Sequence, residues 1–213
     1  MSTIKTTNIT HGSNSGTNNL VLTDTGNVTV GADLIATKQN GCQRIVLEQF
    51  YTPCDGSVIA LQDGNHTITD VTAKQDGTTS YVDCNGSSIT YTPPSGTTQV
   101  IYEYRVCVGY TDSNVISNFK IFVDSDEVTS GRHIVADYTH PQSYRSIKWG
   151  FNIGGSADTA VGRLASWTSD KTIKVQWREY SSSNEARLHN VQHWDGAGVD
   201  LVVKPQLSIT AIG

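Results

Sequence analysis

Strict alternation of apolar and polar residues recurs along most of this 213-residue chain. A period of two confines such segments to strands that bury one face and wet the other. The clearest run is 172 to 180, where Ile173, Val175 and Trp177 share one side and Lys174, Gln176 and Arg178 the other. The segment 99 to 110 repeats the pattern, with Val100, Tyr102, Tyr104, Val106 and Val108 opposite Glu103 and Arg105. Phe119, Ile121 and Val123 form a third stripe, and Ile147, Trp149, Phe151 and Ile153 a fourth. A fifth runs through Val199, Leu201, Val203, Leu207 and Ile209, broken by Pro205, which predicts an edge position or a bulge there. Weaker strand signals lie at 44 to 51, 78 to 84 and 87 to 92, and the one segment open to a helix is 160 to 167, where a strand serves equally well.

Turn residues punctuate these stripes: Asp-Gly at 55–56, 63–64, 76–77 and 195–196, Asn-Gly at 85–86 and Pro-Pro-Ser-Gly at 93–96. Many short strands at such spacing, with no run of helices, predict an all-β sandwich or barrel. Residues 1–36 differ, being rich in Thr, Asn, Ser and Gly, with apolar side chains only in small clusters. The most they offer is a hairpin from Leu20, Val21 and Leu22 to Val28 and Val30, and a lone hairpin is marginal in water. The expected organisation is therefore an N-terminal segment, 1–36, ordered by its own copies or by a larger assembly, followed by a β-domain over 37–213.

Charge and composition narrow the function classes. With a net charge of -5 and Lys and Arg scattered singly, no basic face is available for nucleic acid. The longest apolar run, Val58 to Leu61, is far too short to insert in a membrane, and the first residues lack the pattern of a secretory leader. The cysteines Cys42, Cys54, Cys84 and Cys107 have no metal-binding spacing; their even count permits disulfides, but reduced structural thiols are the expectation. His189 and His193, with Glu185 before them, would share a face only on a helix, and no helical stripe surrounds them. Asp124, Asp126 and Glu127 cluster after a strong strand, where solvated turn acids are expected. No G-x-S-x-G elbow is present. The reading is of a chain that is not an enzyme and carries no catalytic residues, metal or cofactor. Trp194, between His193 and Asp195 in a turn, is the best candidate for an exposed ring on which a sugar could stack.

From Ser87 onward the sequence SSITYTPPSGTTQVIYEYRV resembles the C-terminal domains of structural proteins of tailed phages, particularly marine ones, and of some large algal viruses. The resemblance continues through FKIFVDSDEV, SIKWGFNIGG, KTIKVQWREYSSSNEARLH, HWDG and the final PQLSITAIG, covering most of 42–213. Such domains are similar to jelly rolls of the tumour-necrosis-factor and complement globular-head type, which form tight trimers. NNLVLTDTGNVTV, residues 18 to 30, resembles hairpin units of phage fibre stems, although the long repeats of tail fibres are missing.

The resemblance implies a jelly-roll β-sandwich in a virion surface protein of short trimeric fibre type, assembled in the host cytoplasm and displaying its head to the host. A capsid decoration or cement protein is one alternative and a non-viral carbohydrate-binding module another. The implied partners are two further copies of the chain, other virion proteins of fibre, baseplate or capsid, and a host-surface glycan. Expected trimer contacts are Tyr102, Tyr104, Val106, Leu207 and Ile209; expected attachment residues are Leu20, Val21, Leu22, Val28 and Val30; expected recognition residues are His193, Trp194 and Asp195.

Overall fold

The structure is a computed structural model that describes residues 8–9, 20–22, 28–29, 44–110, 114–138, 142–183, 186–192 and 200–213. It divides into two compact units, Met1–Ile45 and Val46–Gly213. In the first, β1 (Asn8–Ile9), β2 (Leu20–Leu22) and β3 (Val28–Thr29) form a three-stranded sheet in that order. The hairpin expected from the sequence is the β2–β3 pair, with Val21 opposite Thr29 and Leu22 opposite Val28.

The second unit is a β-sandwich. Its strands are β4 (Val46–Pro53), β5 (Val58–Leu61), β6 (Gly64–Thr67), β7 (Gln75–Asp76), β8 (Val82–Asp83), β9 (Ile89–Tyr91), β10 (Gln99–Tyr110), β11 (Asn114–Val123) and β12 (Asp126–Tyr138). There follow β13 (Ser143–Asn152), β14 (Lys171–Glu179), β15 (Ala186–Leu188), β16 (Asn190–Gln192), β17 (Asp200–Val202) and β18 (Gln206–Ile212). One sheet runs β4-β18-β10-β13, with β15 also pairing the far end of β10 and β7 beyond it. The other runs β12-β11-β14, and both β9 and β8 pair along β14. Counting the principal strands β4, β9, β10, β11, β12, β13, β14 and β18 as one to eight, the two sheets read 1-8-3-6 and 2-7-4-5. That is the strand order of a jelly roll, two sheets closed over a common core with consecutive strands crossing between them.

The predicted stripes supply that core. Val100, Tyr102, Tyr104, Val106 and Val108 from β10 meet Phe119, Ile121 and Val123 from β11 and Ile173, Val175 and Trp177 from β14. Trp177 stacks on Phe119 with ring centres 6.2 Å apart, and Trp167 packs edge-on against Tyr91 and Phe151. Two tyrosines cross the interior to bind backbone. Tyr102 donates its hydroxyl to Ser87 O at 2.6 Å and Tyr104 to Asn85 O at 2.7 Å. The loop they hold is pinned to β14 as well, since Val175 N–H donates to Ser87 Oγ and Cys84 N–H to Val175 O. Gly86 at its tip has φ of 81°, and an added Cβ there would stand 2.8 Å from Val71 Cγ2 and 3.0 Å from Cys54 Sγ. Glycine is therefore required at 86 both for the left-handed backbone and for room.

Two local expectations are corrected. The segment near 160 is a 3-10 turn, Thr159–Val161, whose first exposed N–H, on Ala160, is capped by Asp158 and which Gly162 ends in the left-handed region. The stripe from Val199 to Ile209 is not one strand. β17 leaves the sandwich to pair with β16, Pro205 is buried in the connection and accepts from Cys54 N–H, and β18 then enters the sheet as an inner strand. Pro205 thus marks a change of partner rather than an edge or a bulge.

Removing the hydroxyl that reaches Ser87, by Tyr102→Phe, leaves a buried carbonyl short of its donor and should cost about 1–2 kcal/mol, whereas Trp177→Ala empties the centre of the core and should cost about 3–5 kcal/mol. Urea denaturation followed by tryptophan fluorescence for the first variant and by circular dichroism for both checks the ranking.

Candidate functional site

Alternation that sends Tyr102, Tyr104 and Val106 inward sends Ile101, Glu103 and Arg105 outward. Cross-strand register extends this outer face over Tyr51 on β4, Gln206 and Ser208 on β18, and Tyr144, Ser146 and Lys148 on β13. The face is tied together by short polar contacts: Tyr51 hydroxyl to Gln206 Oε1, Ser146 hydroxyl to Glu103 Oε1 at 2.6 Å, and Lys148 to Glu103 at 3.4 Å. Arg105 lies over the Tyr144 ring, 4.8 Å from its centre. The Ser146 hydroxyl, with Lys148 and Arg105 beside it, holds the Glu103 carboxyl below the usual carboxylate range. Tyr51 and Tyr144 remain more than two-fifths exposed, at 56% and 49%. Large amphipathic rings of this kind are enriched at protein contact surfaces in general.

At one end this face is covered. The β16–β17 ribbon crosses β10, so that Cys107, which points outward by parity, is buried and donates to Asn190 O at 3.4 Å. Beneath the ribbon lies an apolar cavity of about 360 Å3 lined by Cys107, Gln142, Tyr144, Val191, Leu201 and Val203. His189 makes the corner between β15 and β16 with φ of 64°. Its backbone is fixed at both ends, His189 N–H to Cys107 O and Val203 N–H to His189 O. Its ring is fully buried, and neither ring nitrogen nor the Asn190 amide has a hydrogen-bond partner among the described residues. Burial pushes the imidazole pKa down to about 4, keeping the ring neutral.

The expected trimer contacts are corrected by this arrangement. Tyr102, Tyr104, Val106, Leu207 and Ile209 are all 0–1% exposed within a single chain, where the opposite sheet covers them, so they have no side-chain surface left for a partner. Of the expected attachment residues, Leu20, Val21, Leu22 and Val28 fall on β2 and β3, and Val30 lies outside the described residues. His193, Trp194 and Asp195 also lie outside the described residues, as do Cys42 and Glu185.

Cys54, Cys84 and Cys107 are free and buried; burial pushes the Cys54 thiol up to about 12 and the Cys107 thiol to about 11, so neither supplies a reactive thiolate. Asp124 closes the β11–β12 turn, accepting from Thr172 N–H at 2.9 Å and pairing with Lys171 at 3.0 Å. Partial burial works against its ionisation, but the Thr172 and Lys171 contacts prevail and hold it below the usual range. Glu127 is held low first by Arg132 at 2.6 Å and then by Lys120 at 3.0 Å. Among the described residues no three His, Cys, Asp or Glu side chains gather as a metal site.

No family model matches the chain, and no curated protein does. Among solved structures, that of infectious bursal disease virus Gx strain aligns over 73% of this chain and 43% of its own, with 6% identity and a TM-score of 0.28. The chain thus spans less than half the length of the one it aligns with.

The His189 ring sets a pH dependence. An unfolded imidazole takes up a proton near 6.5 and the folded one only near 4, so between these values the unfolded chain binds more protons. Stability should be complete above pH 6.5 and fall as pH drops to 4, by about 3 kcal/mol from this residue. His189→Asn, which tolerates the left-handed backbone, should flatten that slope in urea titrations between pH 4 and 7.

Proposed function

We propose that this chain is a virion structural protein of short trimeric fibre type, whose jelly roll is displayed to the host surface and whose residues 1–36 attach it to the particle. The observation that carries the reading is the contrast between the two units. Residues 46–213 hold a complete eight-stranded jelly roll, whereas the described strands of the first unit are two or three residues long. A segment of that kind gains order from copies of itself or from a larger assembly. The resemblance of the strand and turn sequences to phage and algal-virus structural proteins supports the same class.

The trimer contact belongs on the outward face of the β4-β18-β10-β13 sheet, with Tyr51, Ile101, Arg105 and Tyr144 replacing the buried residues first expected there. No catalytic role is assigned: Asp124 and Glu127 are spent on Lys171, Lys120 and Arg132. A decoration protein differs from a fibre only in where it sits and what its loss does, so both share the following test.

Light scattering of the purified chain at micromolar concentration should give three times the 23.1 kDa chain mass. Arg105→Glu, which sets a second acid beside Glu103, should lower that mass without lowering the β signal in circular dichroism. A monomeric wild type refutes the trimer. Particles lacking the protein should lose adsorption if it is a fibre and only thermal endurance if it is a decoration. Removal of residues 1–36 should leave the head folded but absent from particles.

A further inference from the structure

A charged residue stands where the apolar stripe of β14 should continue. Glu179 has the inward parity of Ile173, Val175 and Trp177 and is 6% exposed. Its carboxylate lines a polar cavity of about 340 Å3, walled also by Asp76, Gly77, Ser182, Ala186 and Arg187. Ala186 N–H reaches Glu179 Oε2 at 3.4 Å, a long bond, and no ion pair reaches this carboxylate among the described residues. Asp76 in the same wall is paired, with Arg187 Nε donating to Oδ1 at 2.6 Å. A carboxylate so buried and so thinly compensated is costly, and the cost persists in a fold only where something offsets it.

Gly77 shows that the room is built in. Its backbone is outside the left-handed region, so glycine is not needed there for conformation. A Cβ would stand 2.8 Å from Glu179 Oε2 and 3.0 Å from Ala186 O, in the space the carboxylate occupies. Gly77 N–H in turn donates to Ala186 O at 2.8 Å, joining the two walls that carry β7 and β15.

We propose that this cavity binds a small hydroxylated ammonium compound of monosaccharide size, an amino sugar by chemical class, with Glu179 as counter-ion to the ammonium group. Among the described lining residues Asp76 and Arg187 pair with each other, which leaves the Glu179 carboxylate to meet a cation. The Asp76–Arg187 pair and the Ser182 side chain offer both acceptors and donors to hydroxyl groups. The volume lies at the lower end of the roughly 300–1,000 Å3 of small-molecule sites, whereas a bare metal ion gathers its ligands within about 2.6 Å and would have a guanidinium in its wall. The inference is independent of where the protein sits on a particle.

Glucosamine, glucose and calcium chloride, each added to the full-length chain, distinguish the ligand classes. Glucosamine should shift the amide resonances of 76–77, 179–182 and 186–187 saturably and raise the melting temperature, and glucose should bind at least about tenfold more weakly because it lacks the ammonium. Glu179→Gln keeps the shape but removes the unpaired charge, so it should abolish the glucosamine shifts while raising the melting temperature of the unliganded protein. Ser182→Ala, at a more exposed position, should keep the fold and weaken glucosamine several-fold; it decides the matter if Glu179→Gln fails to fold. Unmoved amides, equal binding of glucose, occupancy by calcium alone, or a Glu179→Gln protein that melts lower and still binds would each overturn the proposal.

Discussion

The two sheets are joined through their middle by hydrogen bonds as well as by packing. Tyr102 and Tyr104 leave β10, cross the core and donate to the carbonyls of Ser87 and Asn85, on the loop that leads into β9 of the other sheet. That loop joins β8 to β9, two strands that both pair along β14, and the buried Ser87 carbonyl would lose its phenol donor if Tyr102 were absent. An apolar interface alone tolerates sliding, because hydrophobic burial has no direction. Two buried hydroxyls aimed at fixed carbonyls do not, and they fix β10 of one sheet against the β8–β9 loop of the other.

Much of the sandwich was legible because strand periodicity depends only on neighbours in the sequence. The stripes through Ile173, Val175 and Trp177, through Tyr102 and Tyr104, and through Leu207 and Ile209 are all buried. What periodicity cannot say is which surface covers a stripe. The tyrosines of β10 lie on an apolar stripe but were also expected at a subunit contact, and the opposite sheet, contributed by segments far along the chain, covers them. Cys107 illustrates the converse: its parity points it to solvent, yet the distant β16–β17 ribbon covers it. Glu179 was not singled out in the sequence, although it continues the parity of Trp177, and its cavity depends on Gly77, far away in the chain, which read only as part of an Asp-Gly turn.

The outer faces show how an acidic chain with few charges keeps its sheets wet without leaving charge unbalanced. On the β12-β11-β14 sheet, Lys120 sits 4.3 Å from the Tyr81 ring centre and pairs with Glu127, while Lys174 pairs with Asp83 across to β8. Partly exposed pairs of this kind add little stability, about 0–1 kcal/mol each, but like charges set opposite one another would cost a similar amount. Their arrangement by cross-strand register therefore favours one pairing of strands over its slipped alternatives.

The position of β18 has a consequence for how the protein is made. It lies between β4 and β10, with Tyr51 bound to Gln206 across 155 residues of chain. Until that strand leaves the ribosome, β4 lacks its one partner among the described strands and β10 presents an open edge, however well the intervening hairpins have formed. Sheets closed by so distant a strand form late and slowly, and their open edges pair readily with those of other nascent chains. Synthesis on crowded polysomes thus brings unfinished copies together at the stage when their edges are most available, and a chaperone that shields β4 would influence yield more than one acting on the finished sandwich.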